Sequence, residues 1–150
     1  MGSGTVRRLP GAFLLAFAAA ACVARPKERF EILEPFVGNL EERLAESPLA
    51  PGAALRSDEL HRGSEASLHL VQVRDAVAPH YHRDHDETVY VIRGEALFTL
   101  AGEEMALRPG TLLHVPRRLV HSVRVLGAEP CAVLSLFTPP FDGKDRIFVE

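Results

Sequence analysis

Two short stretches of the chain concentrate side chains that can bind a metal. The first reads His80-Tyr81-His82-Arg83-Asp84-His85-Asp86-Glu87, and the second runs from Pro116 to a histidine at position 121. Residues two apart in an extended strand point to the same face, so His80 and His82 can converge on one point. Glu87 lies beyond a connection over residues 83–86, where a hairpin would bring its carboxylate back towards the two imidazoles. His121 stands where another strand begins. Three neutral imidazoles and a carboxylate suit a transition metal; calcium and magnesium favour all-oxygen cages. Buried bare, four such polar groups would be costly, and a metal or water must satisfy them. A purely structural cluster would have to pair three imidazoles and a carboxylate among themselves.

Other residues near these stretches are candidates for lining a cavity. Tyr81, Tyr90 and Phe98 could shape one, although aromatic residues in β-strands are more often core. His114 lies in a strand close to the site and either lines a pocket or points outward. His85 and Asp86 read as solvated loop residues, and His61 and His69 as surface or edge residues. Glu103-Glu104 reads as a solvated face. Nucleophilic catalysis finds no support, because Ser122 and its neighbour His121 should face opposite sides of a strand. No glycine-rich phosphate loop occurs.

The elements that must position these groups are short strands. Apolar runs at residues 66–73, 88–92, 96–100, 112–115, 122–126 and 132–137 are separated by turn residues, with Met105 and Leu107 in alternation between them. Pro109-Gly110 has the residues of a type II turn. Many short strands with Gly or Pro between them predict an all-β antiparallel barrel or sandwich. Ahead of them, residues 22–52 are polar and proline-punctuated. Phe36, Leu40 and Leu44 recur at helical spacing, which predicts one short helix within residues 35–47 that packs outside the β domain or tethers it. The β domain is expected over residues 53–150.

Residues 1–21 read as an export signal, with Arg7 and Arg8 ahead of an apolar stretch over residues 12–21 that is too short to span a bilayer comfortably. The Ala-Ala-Ala-Cys ending at Cys22 resembles the lipobox of bacterial lipoproteins. That resemblance implies lipidation of Cys22 and, with Val23 following, an outer-membrane periplasmic location; plain secretion as a soluble protein is the alternative. The paired arginines are a weak twin-arginine signal, which favours folding after export and hence copper or zinc over iron or manganese. Cys131 sits in an apolar run and reads as an inert core thiol, with a Cys22–Cys131 disulfide as the competing state. The net charge of −3 over 150 residues, without a basic run, gives no reason to expect nucleic acid.

The two histidine stretches resemble the paired motifs of the cupin superfamily. The first motif, HxH, four residues, Glu, six residues, Gly, is met by His80, His82, Glu87 and Gly94. The second is met by Gly110, Pro116 and His121, and the ending Phe137-Thr138-Pro139-Pro140-Phe141 is similar to the closing segment of small single-domain cupins. The resemblance covers about residues 53–137. It departs at Arg74 and Arg118, where glycine is usual, and at Val125, where asparagine is. It implies a single jelly-roll barrel holding one divalent metal (Zn, Mn, Fe, Cu or Ni) through His80, His82, Glu87 and His121, with coordination positions left for a small-molecule ligand or substrate. Dioxygenase, isomerase or decarboxylase chemistry fits such a site, as does a non-catalytic metal- or ligand-binding protein of the cell envelope. Homodimerisation is left open.

Overall fold

A computed structural model describes residues 37–149; the expected export segment and Cys22 lie outside them. One helix, α1 (Leu40–Glu46), precedes ten strands: β1 (Leu55–Arg62), β2 (Ser67–Val73), β3 (Ala76–Tyr81), β4 (Asp86–Arg93), β5 (Glu95–Leu100), β6 (Glu103–Leu107), β7 (Leu112–Val115), β8 (His121–Leu126), β9 (Cys131–Thr138) and β10 (Ile147–Phe148). They form two five-stranded sheets, ordered β1-β2-β9-β4-β7 and β10-β3-β8-β5-β6, and every pairing is antiparallel. This is the expected all-β jelly roll. Inward residues of both sheets share one core: Val91, Val115 and Cys131 meet Ala96, Phe98 and Leu107. Alternation along each strand sends the other parity outward, so Val89 and Val91 are buried while Tyr90 is exposed.

The helix is shorter than its apolar spacing predicts, because Asn39 caps it. The Asn39 side chain accepts hydrogen bonds from Glu41 N at 2.9 Å and Glu42 N at 3.3 Å, satisfying amides that would otherwise be orphaned. Leu44 is buried against Leu70 and Ala132, with Leu60 and Ile92 beside them, so the helix packs on the outside of the first sheet. Gln72 fixes the segment that follows, donating to Ser47 O and accepting from Leu49 N.

The turns explain the departures from the cupin motifs. Arg118 takes a positive φ of 69°, the region glycine adopts without strain, and its amide donates to His82 O at 2.6 Å. Arg74 needs no such conformation, and its guanidinium donates to the carbonyls of Ala53 and Ala50. Val125 continues β8, where its amide donates to Asp75 O.

Gly94, between β4 and β5, is constrained twice. Its φ is +80°, and a Cβ there would stand 2.7 Å from Pro130 O and 2.9 Å from Cys131 Cα. Gly127 has a similar φ of +83° with open space around it. Gly127→Ala should therefore cost about 1 kcal/mol for the left-handed backbone alone. Gly94→Ala should cost at least about 2 kcal/mol, since backbone must also move. Urea unfolding of both variants gives the difference, and equal midpoints would remove the role assigned to the close approach.

Candidate metal centre

The second sheet brings the histidines together. His80 is on β3, His82 lies one residue past its end, and His121 opens β8 directly opposite His80. All three are buried, and one ring nitrogen from each lies within 4.8 Å of the others. Glu87 enters from β4 of the first sheet. Its Oε2 lies 3.6 Å from His82 Nε2 and 3.6 Å from His121 Nε2, with the carboxylate side chain 12 % exposed.

Each imidazole is oriented by a backbone carbonyl. His80 Nδ1 donates to Ala78 O at 2.8 Å, His121 Nδ1 to Leu119 O at 2.9 Å, and His82 Nδ1 to Asp145 O. A carbonyl can only accept, so the proton of each neutral ring sits on Nδ1 and Nε2 presents a lone pair. His82 Nε2 and His121 Nε2 are buried without a hydrogen-bond partner. They also face the Glu87 carboxylate across gaps too long for a hydrogen bond. Lone pairs and carboxylate would repel one another across those gaps unless a cation lies between them. Two donors bound to one tetrahedral ion lie about 3.4 Å apart, close to the two 3.6 Å gaps between Glu87 and the histidines. The residues present fit a metal ion.

The charge states agree with that fit. Burial pushes the Glu87 carboxyl up, while positive charge at the His121 and His82 Nε2 positions and the Ser135 hydroxyl pull it down, for a net shift well below the usual range. Burial, together with His121, Arg146 and His82, pushes His80 down to about 4, so this ring is neutral at physiological pH and free to ligate. Phe98 lines the cavity next to the histidines and stacks under His121 with ring centroids 5.8 Å apart.

Behind the histidines lies a buried layer built from the C-terminal strap, residues 139–149. Asp145 accepts hydrogen bonds from Arg83 N at 2.9 Å, Asp84 N at 2.8 Å and His85 Nδ1, while its own carbonyl receives His82. Burial alone would raise the Asp145 carboxyl; His85 and the two amides instead bring it down to about 2. Phe141 on the strap stacks on Phe137, and the His82 ring stands edge-on to both.

Several expectations need correcting. Tyr81, Tyr90 and His114 do not line the cavity, and only Phe98 of the four pocket candidates does. Tyr81 falls between His80 and His82 and so takes the other face, Tyr90 does the same between Val89 and Val91, and His114 is exposed and meets Thr88 Oγ1 at 3.0 Å. His85 is a buried partner of Asp145 instead of a solvated loop residue. His69 is buried too, bonded to Ser67 Oγ and packed edge-on to Phe137 and Phe141. Among the described residues Cys131 is an unpaired, buried thiol whose pKa burial raises to about 11, as its apolar run suggested. Sequence reasoning missed Asp145 and Arg146 and read Phe141 only as part of the closing segment. The signal for Asp145 and Arg146 was the cluster of charges after Gly143, in a stretch without periodicity.

The cavity in front of the histidines measures about 80 Å³ and has a largely apolar wall that includes Val71, Val89, Val123 and Val133 from both sheets. It is sized for a small molecule.

Comparison with known proteins agrees with this geometry. The cupin domain model matches residues 67–137. An uncharacterised protein of Aquifex aeolicus is 35% identical over 92 residues, which is 61% of this chain and 75% of the relative. Quercetin 2,3-dioxygenase of Bacillus subtilis is 43% identical over 51 residues, 34% of this chain but 15% of that enzyme. The structure of KdgF from Halomonas sp. superimposes with a TM-score of 0.57 at 25% identity, over 65% of this chain and 87% of that one. The jelly roll, the histidine triplet and these matches make this a small cupin domain, and the chain belongs to that family.

Proposed function

We propose that this is an exported, membrane-tethered cupin in which His80, His82, Glu87 and His121 hold one divalent transition metal for chemistry on a small molecule. The observation that carries the reading is the pair of orphaned lone pairs at His82 Nε2 and His121 Nε2, facing an ionised Glu87. A bound divalent ion supplies Lewis acidity towards an oxygen donor placed in the cavity. The chain's own residues do the rest. The carbonyls of Ala78, Leu119 and Asp145 hold the rings in the ligating tautomer. Glu87 lowers the net charge of the ion, and the valine walls keep water away from it. The short overlap with a protein named quercetin 2,3-dioxygenase supports dioxygen chemistry as the first to be tried. Export and tethering are supported by Arg7-Arg8, the apolar residues 12–21 and Cys22.

One experiment addresses both halves. Cells producing the full chain are fractionated, and the protein is recovered, analysed for metal and incubated with candidate substrates with and without oxygen. The expected result is recovery in the membrane fraction with about one transition metal per chain. A soluble cytosolic protein would refute export, and a metal-free one would refute the site. Metal without turnover across the panel would identify a binding protein.

A further inference from the structure

The cavity carries one positive side chain that the metal reading does not use. Arg146 follows Asp145 on the C-terminal strap and lines the cavity wall beside the histidines. Its Nε is buried and has no hydrogen-bond partner. None of the ion pairs among the described residues includes it. The carboxylate lining the same cavity, Glu87, is directed at His82 and His121, and that of the adjacent Asp145 at Arg83 N, Asp84 N and His85.

A guanidinium cannot lose its proton, so a buried Nε–H demands an acceptor. The chain offers none among the described residues, and the remaining wall is largely apolar. An anion with oxygens in one plane satisfies a guanidinium best, through two parallel hydrogen bonds. Phosphate would also carry oxygens to the valine side of the cavity, where the lining offers the hydroxyls of Ser57, Ser122 and Ser135 against a mostly apolar wall. A carboxylate presents its oxygens at one end only and leaves hydrocarbon for the valines.

We propose that Arg146 is the anion-recognition residue of this site, and that the molecule it receives is a small aliphatic carboxylate. Its acid group sits on the guanidinium, and the rest of the molecule lies between the valines and the histidines. This deepens the metal reading, because the ligand's far end then faces the histidine cluster. It also places substrate recognition on the strap, which lies beyond the stretch matched by the cupin domain model.

Titration calorimetry with L-lactate, lactamide and inorganic phosphate tests the assignment, on the full chain with metal and again after chelation. Lactate should bind at least about tenfold more tightly than lactamide, its uncharged counterpart. Arg146→Gln should lower lactate affinity by at least about tenfold and leave both lactamide affinity and metal content unchanged. Arg146→Lys keeps the charge without the fork and should fall between. Lactate affinity within twofold of wild type in Arg146→Gln would overturn the proposal, as would phosphate binding more tightly than lactate, or a folded wild type that binds no lactate. Metal content measured on the same samples reports the metal reading separately, and the chelated series still reports on Arg146 if that reading fails.

Discussion

Replacing His82 with alanine should leave the purified protein with less than about a tenth of the metal carried by wild type. The loss removes one of the two orphaned Nε2 donors that face Glu87. Losing a mere supporting partner of a metal ligand costs about 10–100-fold in affinity, and losing the ligand itself should cost more. The melting temperature offers a second readout. A metal present at about 100 times its dissociation constant stabilises the native state by roughly 2.7 kcal/mol, so wild type should melt higher with metal than after chelation. His82→Ala should melt at one temperature in both conditions. His114→Ala is the control, because His114 is exposed and touches Thr88 alone among the side chains bonded to it. Unchanged metal content in His82→Ala would sink the assignment.

Asp145→Asn should be the most damaging substitution outside the ligands. Asp145 Oδ2 accepts from both Asp84 N and His85 Nδ1. An amide at that position turns a donor towards two donors, or gives up the bond from Arg83 if it flips. Each buried donor left unsatisfied costs about 1–3 kcal/mol, so a loss of about 2–4 kcal/mol in urea unfolding is expected. Metal affinity should fall less, by up to about tenfold, because the backbone carbonyl that orients His82 is kept and only shifts as the side-chain bonds around it are lost. The pH dependence follows from the direction of the shift. The carboxyl titrates near 2 in the folded state against 3.8 ordinarily, so it stabilises the fold above about pH 4. That contribution, about 2 kcal/mol, disappears as pH falls towards 2. Asp86, brought down to about 2 by Arg117, titrates in the same window, but its partner is half exposed and solvent screens the pair. The difference between wild type and Asp145→Asn over pH 2–5 therefore isolates Asp145. Parallel stability curves across that window would show that its charge does not matter.

The parts of the fold legible in the sequence were those where burial leaves a periodic trace. Strands β4, β5 and β8 bury mainly one parity and were readable from it, while β2 and β9 bury residues on both faces and were readable as continuous apolar runs. Strand β1 was not, because Leu55–Arg62 carries mostly polar residues and borders a sheet, where half-burial leaves no apolar run. The two-residue β10 is too short to show any period. The histidine triplet was legible because strand parity puts His80 and His82 on one face and the spacing of the second stretch singled out His121, which pairs with His80; Glu87 reaches two of the three. The same parity, applied to Tyr81, Tyr90 and His114, already turns them away from the cavity, since each adjoins an inward residue. Asp145 and His85 were illegible for a different reason. Their partnership joins positions 60 residues apart through irregular backbone, and no local rule links such segments.

The strap has a kinetic consequence. Strand β10 is held to β3 through two residue pairs, with Val149 N donating to Pro79 O just beyond them. Each sheet neighbour deeper in the fold is anchored by a longer ladder. Protection against opening is unequal across a protein, and a short terminal pairing sits at its low end. Peeling back residues 139–149 would withdraw the carbonyl that orients His82 and bare the cavity, with both sheets intact. Such an opening would have to break the four hydrogen bonds at Asp145 as well as the β10 pairing, yet it stops short of unfolding either sheet.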